Sequence, residues 1–535
     1  MLNHILIFNN KKFNKIYTQI ILILFFLIGI SSVKDYGISY DELEYRQQGF
    51  IVLNHIGKKI FPEKIAKIKE ERNLDYPTFE KYFGEIKNNF KFQHTLYALV
   101  EYIFQKKELE KKNIYTLRHY LNFFVFFISV IYFYKVLRIF FSREESLIGM
   151  IFYFLMPRIF ANSFYNPNDI FFLVLIIINF YYAMLYLVKG KTKYLFLMSI
   201  FTALAFNVRI IGIYIYLLFL AIYFIKNFYN LKNFNLKIIL TQFFFTFFII
   251  FLITPQLWDN PFYNFFDLFF GQLKYSAINP SILFANKIYE AKNLPWYYLI
   301  TWILISTPLI VIILFLIGLI RIFSFSSLNF NFKKNLLIYF SFICLFCPLI
   351  ANIIFKPNIY NGWRQFYFLW PFILIIAIFG INYFFKSKLK VRNFSLVILL
   401  LSMTYLGYWN VKYHPFQNVF YNSITKYLNF NFENDYWGLS NKKAFLNILE
   451  HDKKKLIIIK PLGGSRIDFA TLMLNNNQKR RIKLVKFNDS KKADYYITTY
   501  NNGLPFEFYI NKNYEEFNSI YISGKRINTV FKKKY

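Results

Sequence analysis

The sequence predicts a mainly helical, multispanning membrane protein that ends in a small α/β domain. Three observations carry this. Apolar runs of roughly 17–25 residues, the length that crosses a hydrocarbon core as a helix, recur from residue 16 to about 412. The composition is 56% hydrophobic and 23% aromatic, which excludes a soluble globular fold for most of the chain. After Trp409 the character changes, and residues from about 413 to 535 are polar.

About eleven spans are expected, near 16–33, 117–140, 145–160, 169–188, 193–208, 209–226, 237–255, 297–320, 335–355, 366–385 and 394–412. Lys11, Lys12 and Lys15 precede the first, and no small-residue cleavage signal follows it. It is therefore expected to remain as an uncleaved span with a cytoplasmic N-terminus. Loops then assigned inside carry Lys189/Lys191/Lys193, Lys226/Lys232/Lys237, Arg321/Lys333/Lys334 and Lys386/Lys388/Lys390/Arg392, a positive-inside bias. The opposite side holds 34–116, 161–168, 256–296, 356–365 and everything after about 412. The expected organisation is a transmembrane domain over 1–412, with a long first outer loop at 34–116, and an extracytoplasmic α/β domain over 413–535.

The net charge of +35 would suggest nucleic acid in a soluble protein. Here many Lys and Arg fall in short loops where they orient helices, so no nucleic-acid partner is expected. Cys344 and Cys347 lie inside an expected span with no His nearby and read as packing residues. His55, His94 and His119 have no ligand spacing, so no zinc site is expected.

In the outer loops, His94 to Phe104 (HTLYALVEYIF) is too polar to span and reads as an amphipathic interfacial helix, with 256–296 as a second interfacial segment. In the tail, Ser440 is placed to cap a helix with Phe445, Ile448 and Leu449 on one face. KKLIIIKP, RIKLVKF, ADYYITTY and NSIYISG read as strands, separated by a Gly463-Gly464 turn and by NDSKK and NNG loops.

The stretch from Lys34 to Gln48, KDYGISYDELEYRQQ, places Asp41, Glu42 and Glu44 within about one helical turn beside the first span. Carboxylates cost several kcal/mol inside hydrocarbon, so this cluster belongs in water or a polar cavity. Other polar motifs gather at the same side: MPRIFANSFYNPND (156–169), FNVR (206–209), TPQLWDNPF (254–262), NGWRQFYFLWP (361–371) and HPFQNVFYN (414–422). The inner loops are mostly simple basic runs. This one-sidedness points to a site that faces outward.

SYDEL after the first span, PRIFANSFYNPND, LPWYYLITWILISTPL (294–309), NGWRQFYFLWP, and HPFQNVFYN followed by DYWGLS resemble the multispanning bacterial glycosyltransferases of the GT-C superfold. The likeness is to the family 39 type, related to protein O-mannosyltransferases and aminoarabinose transferases. It covers nearly the whole chain. It implies a GT-C transmembrane domain in the bacterial inner membrane and transfer of a sugar from a polyprenyl-phosphate donor, on the outer side, to a glycan, lipid or protein acceptor.

Displacing a lipid phosphate from an anomeric carbon asks for a base to take the acceptor's proton and a cation for the departing phosphate. The resemblance implies Asp41 as that base, with Glu42 as its neighbour. Asp169 matches a second acidic position, for orienting acceptor or sugar or for binding a metal. The residues leave room for a divalent ion between Asp41 and Asp169, and name no other cofactor. Arg364 is the first phosphate ligand, because its fork makes two charge-assisted bonds, and Arg158 and Arg209 come second. Trp363 beside Arg364 is the candidate for stacking on a sugar face, whereas Trp258, Trp296 and Tyr367 read as an interfacial belt. His414 is expected to be structural. Two departures stand out: Gln365 where a His is expected, and Asn168 where a basic residue is common. Rival readings are a polyprenyl-linked glycan ligase or polymerase and a lipid-linked sugar transporter. A transporter should show internal repeats and charges within the spans, and neither is evident.

Overall fold

The computed structural model describes residues 11–535 apart from 64–76, 86–90, 105–109, 228–234, 275–279, 326–331, 429, 464, 488, 490–491, 501–505, 511–513 and 534–535. The NNG loop and Gly464, at the expected Gly463-Gly464 turn, lie outside the described residues, as do parts of the NDSKK loop.

Apolar helices dominate. Among the described residues seven are long and apolar enough to cross a membrane, and up to nine if each of two bent pairs is one span. Two further apolar helices, Thr192–Val208 and Ile210–Ile225, are shorter. Together these occupy the eleven stretches expected from hydropathy, and the chain is a multi-pass membrane protein. Both bends have a local cause. Arg143–Leu155 and Pro157–Tyr165 meet at 60°, and Tyr298–Ser306 and Leu309–Ser324 at 118°. At each break the residue before a proline, Met156 or Thr307, is extended (ψ 107 and 138) because the proline ring excludes helical geometry there. The runs at 145–160 and 297–320 are therefore broken elements rather than straight spans.

Helix Pro167–Lys189 lies at the centre, buried along most of its length, while the first helix, α1 (Lys11–Ser32), leaves Ile20, Ile23, Leu24 and Leu27 exposed. A helix apolar on its outer face in this way is suited to lipid. Helix Phe92–Phe104 covers the expected interfacial segment. Its buried face carries Gln93, His94, Tyr97 and Glu101, and Leu96, Leu99, Ile103 and Phe104 point outward. In the 256–296 segment, helix Pro261–Lys274 is followed by a hairpin that hydropathy did not reveal: β1 (Ser281–Phe284) and β2 (Lys287–Glu290), antiparallel. Ala285 and Asn286 make its two-residue turn with positive φ (51 and 66), the geometry that matches strand twist.

The C-terminal part contains a five-stranded sheet in the order β4-β3-β5-β7-β6. β3 (Ile457–Pro461) pairs in parallel with β4 (Ile482–Leu484) and β5 (Tyr495–Thr498), and β7 (Lys525–Lys533) is antiparallel to both β5 and β6 (Tyr514–Ile522). Helix Asn441–His451 buries Phe445, Ile448 and Leu449 against Ile457, Ile459, Ile497 and Val530. Ser440 precedes it as expected, but its hydroxyl accepts from Asn528 rather than capping the helix, and Asp435 accepts from the amides of Leu439 and Ser440. This part is docked, not tethered. Ile520, Ile522 and Ile527 join the main core, and Lys442 Nζ donates to the carbonyls of Lys34, Asp35 and Tyr36 at 2.7, 3.0 and 3.1 Å.

Candidate functional site

The polar motifs converge at one end of the helix bundle. The second helix, α2 (Asp41–Ile60), starts there, and its opening SYDE has the spacing of a capping box. Glu42 takes the reach-back role: Oε2 accepts from the Ser39 amide at 2.7 Å, and Oε1 meets His119 Nε2 at 2.9 Å. Arg46, one turn on, shares the buried Glu101 with Arg118 at 2.6 and 2.8 Å. These contacts fix the start of α2 and leave Asp41 beside Glu42 as the residue that faces the opening.

Asp169 reaches the same place from the central helix. Asn166 caps that helix by accepting from the Asp169 amide at 3.2 Å, and Pro167 occupies the first turn, where its missing N–H costs nothing. Asp169 is thereby held with its side chain wholly buried, accepting from Asn166 Nδ2 at 2.9 Å, from Arg364 Nη1 at 2.9 Å and, through its other oxygen, from Arg209. Arg364 Nη1 also lies 3.6 Å from Asp41 Oδ2. The side chains of Asp41 and Arg209 are 31% and 29% exposed, against 5% for Arg364, so the network opens on the Asp41–Arg209 side.

Arg364 is delivered by a tight turn. Asn361 and Gly362 both have positive φ (58 and 65), and a Cβ on Gly362 would sit 3.2 Å from the Trp302 ring, so the sequence needs Asn-Gly here. The guanidinium then rests on the Tyr360 and Trp437 rings at 5.0 and 4.8 Å.

Other predicted residues fall elsewhere. The carboxylate of Glu42 is committed to Ser39 and His119, away from the opening. Trp363 is corrected to a packing residue: it is buried, donates to Ser306 Oγ at 2.7 Å and meets Tyr367 edge-on at 5.0 Å, leaving no face for a sugar. Arg158 does not join the carboxylate network. It donates to the Phe420 carbonyl at 2.8 Å and sits over Trp302 and Tyr421. A divalent ion between Asp41 and Asp169 meets a difficulty, since both Asp169 oxygens already accept from guanidiniums. Among the described residues no three His, Cys, Asp or Glu side chains gather as a metal site. His414 pairs with Asp35 at 2.9 Å and contacts Gln417, a structural arrangement.

Two residues at this end, Lys91 and Glu433, have no counterpart in the sequence reading. Lys91 lies over the Tyr45 ring at 5.6 Å, within the fields of Arg209, Asp169, Glu44 and Asp41. Burial and the nearby Arg209 push its ammonium down to about 8. Burial, reinforced by Asp41, raises the Glu44 carboxyl. Glu433 is buried near Arg364 and Arg158, and burial lifts its carboxyl to about 8 although both guanidiniums and the Asn361 and Gly362 amides pull the other way. Trp437, the ring on Arg364, comes from the same stretch.

Fold and site together define a multi-pass membrane protein with a carboxylate–arginine network at one mouth of its helices. Residues 118–258 match the family described as dolichyl-phosphate-mannose-protein mannosyltransferase, so the resemblance read from the motifs is shown over the stretch that holds Arg158, Asp169 and Arg209. Among solved structures, the chain is similar to ArnT from Cupriavidus metallidurans bound to undecaprenyl phosphate, at 9% identity over 96% of this chain and 97% of that one, with a TM-score of 0.45. The apo form of that protein aligns over the same shares at 8% identity, with a TM-score of 0.44. No curated protein matches the chain.

Proposed function

We propose that the chain is a glycosyltransferase that moves a sugar from a polyprenyl-phosphate carrier to an acceptor hydroxyl on the outer side of a bacterial inner membrane. One observation carries the reading. A partly exposed carboxylate, Asp41, sits 3.6 Å from an arginine that is itself locked by a buried carboxylate, with Arg209 and Lys91 alongside. A base and a cluster of cations thus share one opening, as transfer away from a phosphate requires. The matched family is described by dolichyl-phosphate-mannose, a sugar on a polyprenyl phosphate.

In this reading the acceptor oxygen attacks the anomeric carbon. The bond from that carbon to the phosphate oxygen breaks, the electron pair leaves with the lipid phosphate, and Asp41 takes the acceptor's proton. Arg364, Arg209 and Lys91 hold the phosphate as its charge grows, and Asp169 keeps both guanidiniums aimed. The basic loops support a cytoplasmic N-terminus, with the C-terminal part from residue 413 outside, where its docking on residues 34–36 caps the first outer loop. The acceptor class, whether glycan, lipid or protein, depends on the surfaces around this mouth.

The test is reconstitution of the full chain with a panel of polyprenyl-phosphate sugars and candidate acceptors, following the loss of donor. Consumption that yields free polyprenyl phosphate supports the reading. Transbilayer movement of the same lipids with no cleavage would replace it with a transporter.

A further inference from the structure

Glu433 poses a question that the network above does not answer. Its backbone is pinned: the Glu433 amide donates to the Leu283 carbonyl at 3.2 Å, the Asn431 amide donates to Asn286 Oδ1 at 2.7 Å, and the Tyr421 hydroxyl donates to the Glu433 carbonyl. Phe432 packs into the rings of Phe284, Trp302 and Tyr421. The fold thus spends several contacts on holding this stretch under the β1–β2 hairpin. What it delivers is a glutamate that is only 7% exposed.

Among the described residues Glu433 Oε2 has no hydrogen-bond partner, and none of the ion pairs includes it. The two guanidiniums that act on it are each incompletely used as well: Arg364 Nε and Arg158 Nη2 are buried without a partner. Buried polar atoms left open cost about 1–3 kcal/mol each, and native folds rarely keep three around one spot without a reason. The chemistry of the three narrows the occupant. Guanidinium N–H groups can only donate, so the occupant must accept. A carboxylate oxygen needs a donor, and a protonated one needs an acceptor. A bare phosphate would suit the arginines and be repelled by an ionised Glu433. An amine would suit Glu433 and be repelled by the arginines. A hydroxyl donates and accepts, and neighbouring hydroxyls on one ring serve both sides.

We propose that Glu433, with Arg158 and the Nε edge of Arg364, forms a subsite that binds the hydroxyls of the transferred sugar, making Glu433 a specificity residue for the glycosylated lipid. This rests on the reading under Proposed function. It also gives a task to Arg158, which acts on Glu433 and stands outside the Asp169 network.

The test compares binding of two lipids to the reconstituted full chain: sugar-free polyprenyl phosphate and the same lipid carrying a hexose. The wild type should hold the glycosylated lipid the tighter. Glu433→Leu should weaken the glycosylated lipid about tenfold, the scale of one lost hydrogen bond, and leave the sugar-free lipid within about twofold. Glu433→Gln, which keeps one acceptor, should show a smaller loss in the same direction, and serves alone if Glu433→Leu fails to fold. Glu433→Asp should recover part of the preference. A preference unchanged in the variants, or an equal loss for both lipids, would overturn the inference while leaving the transferase reading intact. Failure of the wild type to bind either lipid would remove that reading and the inference with it.

Discussion

Replacing Asp169 by Asn tests whether the buried network is what holds the mouth together. The carboxylate is wholly buried and accepts from two guanidiniums, one at 2.9 Å and one closer still. Charge-assisted bonds contribute about 1.5–3 kcal/mol each, and removing one partner of a buried ion pair costs about 3–5 kcal/mol because the other charge is stranded. Arg364 is 5% exposed and would retain Asp41 as its one ion-pair partner among the described residues, 0.7 Å more distant than Asp169 (3.6 against 2.9 Å), so its charge would be poorly compensated. Asn preserves the shape and one acceptor, which places the expected loss near the lower end, about 3 kcal/mol. Asp41→Asn removes a partly exposed and longer contact, and should cost less than about 1 kcal/mol. Unfolding in mixed micelles, titrated with denaturing detergent and followed by tryptophan fluorescence, measures both. A loss below about 1 kcal/mol for Asp169→Asn, or a larger loss for Asp41→Asn, would refute the network as drawn.

Glu42→Ala should destabilise by about 2 kcal/mol in the same titration, because it removes both the acceptor for the Ser39 amide and the partner of buried His119. Lys442→Met removes the donor to three carbonyls of residues 34–36; it should cost about 1–2 kcal/mol and speed native-state proteolysis of the C-terminal part, read on a gel. Burial holds Glu433 protonated up to about pH 8 in the folded chain, while the unfolded chain releases that proton at ordinary carboxylate pH. Its contribution to stability is therefore complete in acid and is lost as the pH rises through about 8, so Glu433→Gln should show a flatter fall in unfolding midpoint between about pH 5 and about pH 9.

The helices were legible because a span must be apolar along its whole length, a signal that needs no partner. Where a proline interrupted a run, at Pro157 and Pro308, hydropathy averaged over the break and missed the bend. Asp41 and Asp169 were legible as candidates because a carboxylate near hydrocarbon needs a reason. Glu42 was grouped with Asp41 at the base, and the S-x-x-E spacing at Ser39–Glu42, a capping signature that assigns it to the helix end, went unread. Glu433 and Lys91 were not legible. Each stands alone in its own segment, and its partners come from residues far along the chain, such as Arg158 and Arg364 for Glu433. Trp363 was misjudged on adjacency, since the left-handed turn at Asn361 and Gly362 sends it to Ser306 while Arg364 turns to Asp169. β7 was missed because Asn528 and Thr529 lie buried in it and blur the alternation; Asn528 Nδ2 donates to Ser440 Oγ and Asn441 Oδ1, acceptors that only the fold supplies.

The measurement that bears most directly on the central claim is donor turnover by reconstituted wild type and Asp41→Asn, with binding of the polyprenyl-phosphate sugar measured in parallel. If Asp41 is the base at an otherwise intact phosphate site, Asp41→Asn binds the donor within about threefold of wild type and loses at least about a hundredfold in turnover. Turnover equal to wild type would contradict the account and leave the carboxylate at this mouth without the role assigned to it.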